Sequence, residues 1–245
     1  MGLTPLVTGA GAPVTLIAHG FGASAAETRP LAGGVPGTRV FATARGHDGA
    51  ELDGPCGYGE LADDLLAVAD AHAATQALGI SMGAGALLRL LSRQPTRFDR
   101  VVLLLPAALD QVRTDPAVRR LEVLAGRDPA EVRKLVTGEI PVDLRAGLSA
   151  YVEARTAFLL ACPGLVALHA GLAADVPVPD RSRLGSVGAQ VLLLAQEGDP
   201  LHPAQVAREL AGVLPNARLV VFDGPGAAIR ERARLRALVS GFLGG

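Results

Sequence analysis

The run from Thr75 to Leu91, TQALGISMGAGALLRLL, constrains the fold more than any other stretch of the chain. A short apolar segment meets Gly79-Ile80-Ser81-Met82-Gly83 and then continues as small and aliphatic residues at helical spacing, which predicts a strand, a sharp turn and a helix. Gly79 and Gly83 lack the Cβ atoms that would collide where strand and helix backbones come close, and Ala84, Gly85 and Ala86 keep the first helical turn slim. A serine in such a turn is held in a strained conformation with its hydroxyl above the sheet, near a helix N-terminus whose free N–H groups favour negative charge. The plainer reading of the pentapeptide by itself is a helix of small residues packed on a strand, with Ser81 as an N-cap.

A second motif separates these readings. Val14-Thr15-Leu16-Ile17-Ala18 is another buried-strand pattern and runs directly into His19-Gly20-Phe21-Gly22. With both motifs in this order the chain resembles the α/β-hydrolase superfamily, in which the turn after an early strand supplies one oxyanion-hole N–H and the residue after the nucleophile supplies the other. The resemblance implies Ser81 as nucleophile and the amides of Phe21 and Met82 as oxyanion donors. It also implies an α/β fold, a mostly parallel sheet flanked by helices with an inserted helical cap.

The chain of 245 residues is long enough for one such domain, and its 49% hydrophobic content can fill a large core. A net charge of −1, no basic block and 3% aromatics offer nucleic acid neither an electrostatic footprint nor a stacking platform. Cys56 and Cys162 are far apart and outside any metal-like spacing, so they read as buried thiols, with no metal and no cofactor expected. The N-terminus shows no signal-peptide pattern, and a cytoplasmic location is the default expectation. Thr156 to Ala174 carries no charge and approaches membrane-spanning length, but Cys162-Pro163-Gly164 interrupts it and His169 lies inside it. Two lid helices are expected there, with no membrane partner.

Taken in order, residues 1–13 leave room for about one strand, so the first strands usual in the superfamily are expected to be shortened or missing. Ser24 to Leu31 could cap and begin a helix, and Thr38 to Ala42 reads as a strand. That strand leads into Ala44-Arg45-Gly46-His47-Asp48-Gly49, which resembles a superfamily loop in which Arg45 and His47 would be structural. Gly59 to His72 places Leu61, Leu65, Leu66, Val68 and Ala69 on one broad face, an amphipathic helix. Arg100 to Pro106 and Gln190 to Ala195 are continuous apolar runs typical of interior parallel strands. Between Pro106 and Ala189 the pattern is helical, broken at Asp115-Pro116, Asp128-Pro129, Ile140-Pro141 and Cys162-Pro163. The domain reading is therefore a core of 1–106 and 189–245 with a cap of 107–188, returning through a Pro-rich hinge near Pro177 to Arg183. An aliphatic pocket is expected under the cap, with Tyr151, Phe158 and Leu159 as candidate contributors and a small-molecule substrate or ligand as the partner.

The loop after Ala195 reads Gln196-Glu197-Gly198-Asp199-Pro200-Leu201-His202-Pro203, and by resemblance Asp199 is the triad acid. The pattern then breaks. After the last strand, Ala217 to Phe222, superfamily members carry the catalytic histidine, but here the run is Asp223-Gly224-Pro225-Gly226-Ala227, and no histidine follows. A serine hydroxyl needs a base to take its proton, so an empty histidine position at Ala227 would impair hydrolysis. Three accounts stand at this point: an introduced His-to-Ala change, a displaced base, or use of the pocket without covalent hydrolysis, as in a lyase or a silent binding protein. His19 and His47 read as loop braces, and His72 and His169 as helix residues. His202 alone shares a loop with Asp199 and is the candidate for a displaced base, but a residue three positions along a turn normally points elsewhere, so a surface or cap-contacting role is the expected one and catalysis the alternative.

Overall fold

The computed structural model describes residues 4–52, 54 and 56–245. Seven strands form one sheet in the order β1-β3-β2-β4-β5-β6-β7. They are β1 (Leu6–Thr8), β2 (Val14–Ala18), β3 (Thr38–Ala42), β4 (Gln76–Ile80), β5 (Arg100–Leu104), β6 (Gln190–Gln196) and β7 (Ala217–Phe222). All neighbours pair in parallel except β1, which runs antiparallel to β3 at the edge. This is the α/β-hydrolase fold that the resemblance implies, with one short strand among the described residues ahead of Val14.

Both faces of the sheet are covered, which is why its central strands read as unbroken apolar runs. Side chains alternate along each strand. Val101, Leu103, Val191 and Leu193 pack with Leu65 of helix α2 (Tyr58–Ala71) and Leu87 of α3 (Met82–Arg93). Val102, Leu104, Leu192 and Leu194 pack on the opposite face with Leu235 and Val239 of the C-terminal helix, Arg232–Gly244. The expected helix from Ser24 is a single turn, α1 (Ala25–Thr28), closed by a reciprocal capping box between Ser24 and Glu27.

Among the described residues, the segment between β5 and β6 holds helices and no strand. They are α4 (Pro116–Arg119), α5 (Pro129–Glu139), α6 (Ser149–Ala161) and α7 (Gly164–Ala173), with 3-10 turns at Arg120–Gly126, Val142–Gly147 and Arg181–Ser186. Asp115 and Asp128 each cap a helix that begins on proline, so the Asp-Pro breaks are helix starts. Leu135, Val152, Leu165 and Leu168 belong to the same apolar cluster as the α3 face, so the segment is packed onto the core. Its two legs are tied together by Val178 N–H donating to Leu109 O at 2.9 Å. Arg89 on α3 pairs with Asp175 at 2.6 Å, and Asp175 also accepts from Tyr58 N at the start of α2. Among the described residues no single helix is long and apolar enough to cross a membrane. The α6–α7 pair, which would pass that test jointly, is bent by 86° at the Cys162–Pro163 break.

In the remainder of the chain, α8 (Ala204–Val213) follows β6, α9 (Ala227–Arg230) follows β7, and α10 is the C-terminal helix already described. Strand order reverses between β2 and β4. The crevice beyond their carboxyl ends is where open α/β sheets place ligands.

Candidate active site

Ser81 sits between β4 and α3 with φ +50° and ψ −107°, a conformation a non-glycine residue holds only when its surroundings impose it. The surroundings here are steric. A Cβ on Gly79 would fall 2.7 Å from Gly83 O, and one on Gly83 would fall 2.5 Å from Ala18 O. The α3 backbone can therefore press against both strands only if both positions are glycine. Ser81 N–H donates to Leu104 O at 2.9 Å, which anchors the turn to β5.

The partner of the Ser81 hydroxyl is His202. Its Nε2 lies 2.9 Å from Ser81 Oγ, and its Nδ1 lies 2.8 Å from Asp199 Oδ2. The carboxylate dictates the tautomer: Nδ1–H donates to Asp199, leaving the Nε2 lone pair to accept from the hydroxyl. The expectation that His202 points away is therefore corrected, and the cause is the local turn. Asp199 Oδ1 accepts from the backbone N–H of Leu201 at 2.9 Å and of His202 at 3.1 Å, curling the chain around its own carboxylate. The imidazole is thereby turned back onto Oδ2.

Asp199 accepts four hydrogen bonds in all, the fourth from Gln196 Nε2 at 2.7 Å. Burial pushes its pKa upward, but the bonds from His202 and Gln196 outweigh that and hold the carboxyl well below the ordinary range. It is a permanent anion at neutral pH.

The vacant-histidine reading of Ala227 is also corrected. Ala227 is 5% exposed and packs in the apolar cluster that contains Ile17, Phe41 and Phe222, and it is absent from the cavity wall. Its backbone N–H donates to Gln196 Oε1 at 2.9 Å. Gln196, at the end of β6, thus bridges the acid to the β7–α9 turn. Sequence reasoning passed over Gln196, although a polar residue closing an apolar run at the carboxyl end of a central strand is a usable signal.

The His19-Gly20-Phe21-Gly22 turn lies beside the elbow, with Ser81 Cβ 3.5 Å from the place a Gly20 Cβ would occupy. Phe21 and Met82 both line the cavity with Ser81, and the Met82 amide belongs to the first turn of α3, where N–H groups have no intrahelical acceptor. Two buried histidines brace the turn from behind. Gly22 N–H donates to His47 Nε2 at 2.7 Å, and Ala44 N–H donates to His19 Nε2 at 3.0 Å. Burial depresses both imidazoles, His47 to about 3, so they serve as neutral acceptors. Arg45 pairs with Asp64 on α2 at 2.5 Å.

Above these groups lies a cavity of about 850 Å³, within the range of small-molecule sites. Ile80, Leu105, Val118, Leu121, Ile140 and Leu172 give it an apolar wall, but Arg120, Glu139, Arg155 and Arg230 also face it. The largely aliphatic wall expected from composition is present, with these charged side chains set into it. Tyr151 lines the cavity, whereas Phe158 and Leu159 pack into the protein interior. Among the described residues no group of three or more His, Cys, Asp or Glu side chains is arranged to hold a metal ion.

Comparisons with known proteins agree with this architecture. The sequence profile of the alpha/beta hydrolase family matches residues 6–237, and the chain belongs to that family. A curated relative, "Putative carbamate hydrolase RutD" of Caulobacter sp. (strain K31), is 27% identical over 225 residues, covering 82% of this chain and 77% of the relative. Among solved structures, the enol-lactonase from Burkholderia xenovorans LB400 superposes with a TM-score of 0.85 at 19% identity, covering 98% of this chain and 96% of that one. A hydrolase from Pseudomonas aeruginosa PA01 gives 0.82 at 23% identity, covering 98% and 94%. At these identities the structural likeness speaks for the fold.

Proposed function

We propose that this chain is a serine hydrolase that cleaves an ester or a related acyl bond of a small molecule, with Ser81, His202 and Asp199 as its triad. The observation that carries the reading is the continuous hydrogen-bonded chain from Ser81 Oγ through the His202 imidazole to Asp199 Oδ2. In this mechanism Ser81 Oγ attacks the substrate carbonyl carbon while its proton passes to His202 Nε2. The negative charge that forms on the carbonyl oxygen is received by the N–H groups of Phe21 and Met82. His202 then gives the proton to the leaving group, and an acyl group remains on Ser81. Water, deprotonated by the same nitrogen, releases the acid. Asp199 stays ionised throughout and stabilises the imidazolium.

In this reading His202 supplies what a histidine at position 227 would have supplied, and the helical segment 107–188 acts as the cap over the pocket. The mixed wall suits a substrate with an apolar body and a polar end. Glu139 lines the cavity and its side chain makes no ion pair or hydrogen bond with the described residues, so it is free to meet that polar end. The names of the relatives, a carbamate hydrolase and an enol-lactonase, lie within the same acyl-transfer chemistry.

The test is labelling with a fluorophosphonate probe together with turnover of p-nitrophenyl esters of two to eight carbons. Prompt labelling of the parent and none of Ser81→Ala is expected. Inertness of the parent toward the probe and every ester would sink the hydrolase reading and favour a ligand-binding protein on the same scaffold.

A further inference from the structure

Two arginines of the 107–188 segment grip the backbone of the two loops that carry the chemistry. Arg113, in the first leg of the segment, donates to the carbonyls of Pro200 (3.0 Å) and Leu201, the two residues between Asp199 and His202. It also donates to Ala107 O at 2.9 Å and pairs with Asp115 at 2.8 Å. Arg155, on α6, donates to the carbonyls of Phe21 (3.3 Å) and Gly22, and pairs with Glu27 at 3.0 Å. Both guanidinium groups are largely shielded from water, their side chains 16% and 11% exposed.

The carbonyls they hold are the ones that set direction. The Phe21–Gly22 peptide is fixed at its oxygen by Arg155 and at its nitrogen by His47, which fixes the backbone of Phe21 and so the aim of its N–H. Pro200 and Leu201 form the short link that must curl for an imidazole three residues from its acid to return to that acid. A planar guanidinium holding two successive carbonyls restrains such a curl far better than one neutral hydrogen bond.

We propose that Arg113 and Arg155 are positioning residues through which the helical segment sets the geometry of the catalytic loops, Arg113 aligning His202 and Arg155 aligning the oxyanion donor of Phe21. The segment is then part of the machinery as well as its roof. This rests on the hydrolase reading for its kinetic consequence but not for its structural one.

The experiment compares Arg113→Met, Arg155→Met and their Lys counterparts with Arg133→Met, which removes only the exposed Arg133–Glu153 pair between α5 and α6. Three quantities are read: kcat and KM for a p-nitrophenyl ester, affinity for an alkyl boronic acid, and amide hydrogen exchange in residues 20–23 and 199–202. Each Met variant should lower kcat about 10- to 100-fold, as small misplacements of catalytic groups do, with KM within about 2-fold. Boronic-acid affinity should fall in step, Lys should restore part of the loss, and Arg133→Met should match the parent. Exchange should accelerate at 199–202 in Arg113→Met and at 20–23 in Arg155→Met. A change in KM alone would make these arginines substrate ligands and overturn the proposal. So would unchanged exchange at both loops, or acceleration spread over the whole molecule in the Lys variants as well. If the parent proves inert toward esters and probe, the hydrolase reading fails, and loop-specific exchange alone decides the positioning role.

Discussion

The turn between β4 and α3 and the loop between β6 and α8 deliver the two ends of one hydrogen-bonded chain, yet they are held by different forces. The first is held sterically: Gly79 and Gly83 permit contacts of backbone on backbone that any Cβ would forbid, and Ser81 is left in a positive-φ conformation with nowhere else to go. The second is held by polar groups, with Asp199 gathering four donors and Arg113 gripping the two carbonyls between Asp199 and His202. A steric turn tolerates loss of a hydrogen bond but not of a glycine. A polar loop behaves in the opposite way, and substitutions can be chosen to separate the two.

The largest expected effect tests whether the polar loop supplies the base. His202→Ala should reduce kcat on the order of a million-fold, as loss of a triad base does. Adding Ala227→His to that variant should not restore activity. Ala227 is buried in an apolar cluster and lies outside the cavity lining, so an imidazole there overpacks the core at a cost of about 1–3 kcal/mol. Ester turnover and urea unfolding of the single and double variants check both statements. Recovery of turnover in the double variant would return the base to the β7–α9 turn.

An intermediate effect concerns pH and the braces behind the oxyanion turn. His19 and His47 are buried acceptors whose folded pKa values lie below 6.5, that of His47 at about 3. Between about 6.5 and 3 the unfolded chain therefore binds more protons than the folded one. Stability contributed by these neutral imidazoles is fully present above 6.5 and is lost as the pH falls through that window. The slope from His47 should reach about 1.4 kcal/mol per pH unit at the steepest, and His19 acts in the same direction. His169, also depressed by burial, acts in the same direction. Urea midpoints at pH 7.5, 6 and 5 should fall with acidification, and His47→Gln, which keeps an acceptor for Gly22 N–H, should flatten the slope. An equal slope in that variant would remove His47 from the account.

The same contrast explains what the sequence discloses. The strand–turn–helix around Ser81, the interior strands and the helical segment broken at its Asp-Pro pairs are legible because they follow from local sterics and periodicity over a few residues. The partner of the Ser81 hydroxyl is not, because the direction of His202 depends on a turn that Asp199 builds from backbone donors and whose Leu201 carbonyl is held by Arg113, 88 residues away in sequence. The missing histidine after β7 is plain in the sequence, but its consequence depends on Gln196 joining Asp199 to Ala227 N–H across the space between two strands. The cavity wall divides similarly. Its aliphatic half follows from composition, and its charged half requires knowing which arginines are already engaged with carbonyls and carboxylates.

The smallest expected effect sharpens the role of that bridge. Gln196→Met preserves the length and burial of the side chain but removes its donor to Asp199 and its acceptor for Ala227 N–H. The carboxylate would keep three of its four hydrogen bonds, including the one to His202, so the chain from Ser81 through His202 to Asp199 should persist with a slightly loosened carboxylate. The Ala227 amide, buried in an apolar cluster, would lose its acceptor at a cost of about 1–3 kcal/mol. A fall in kcat of roughly 10-fold with little change in KM is expected, together with a matching loss of stability. A loss approaching that of His202→Ala would mean that the polar loop depends on Gln196 as strictly as the elbow depends on its glycines. No loss in kcat at all would mean that the Asp199 turn, once closed by its own backbone donors and by Arg113, needs no support from the sheet.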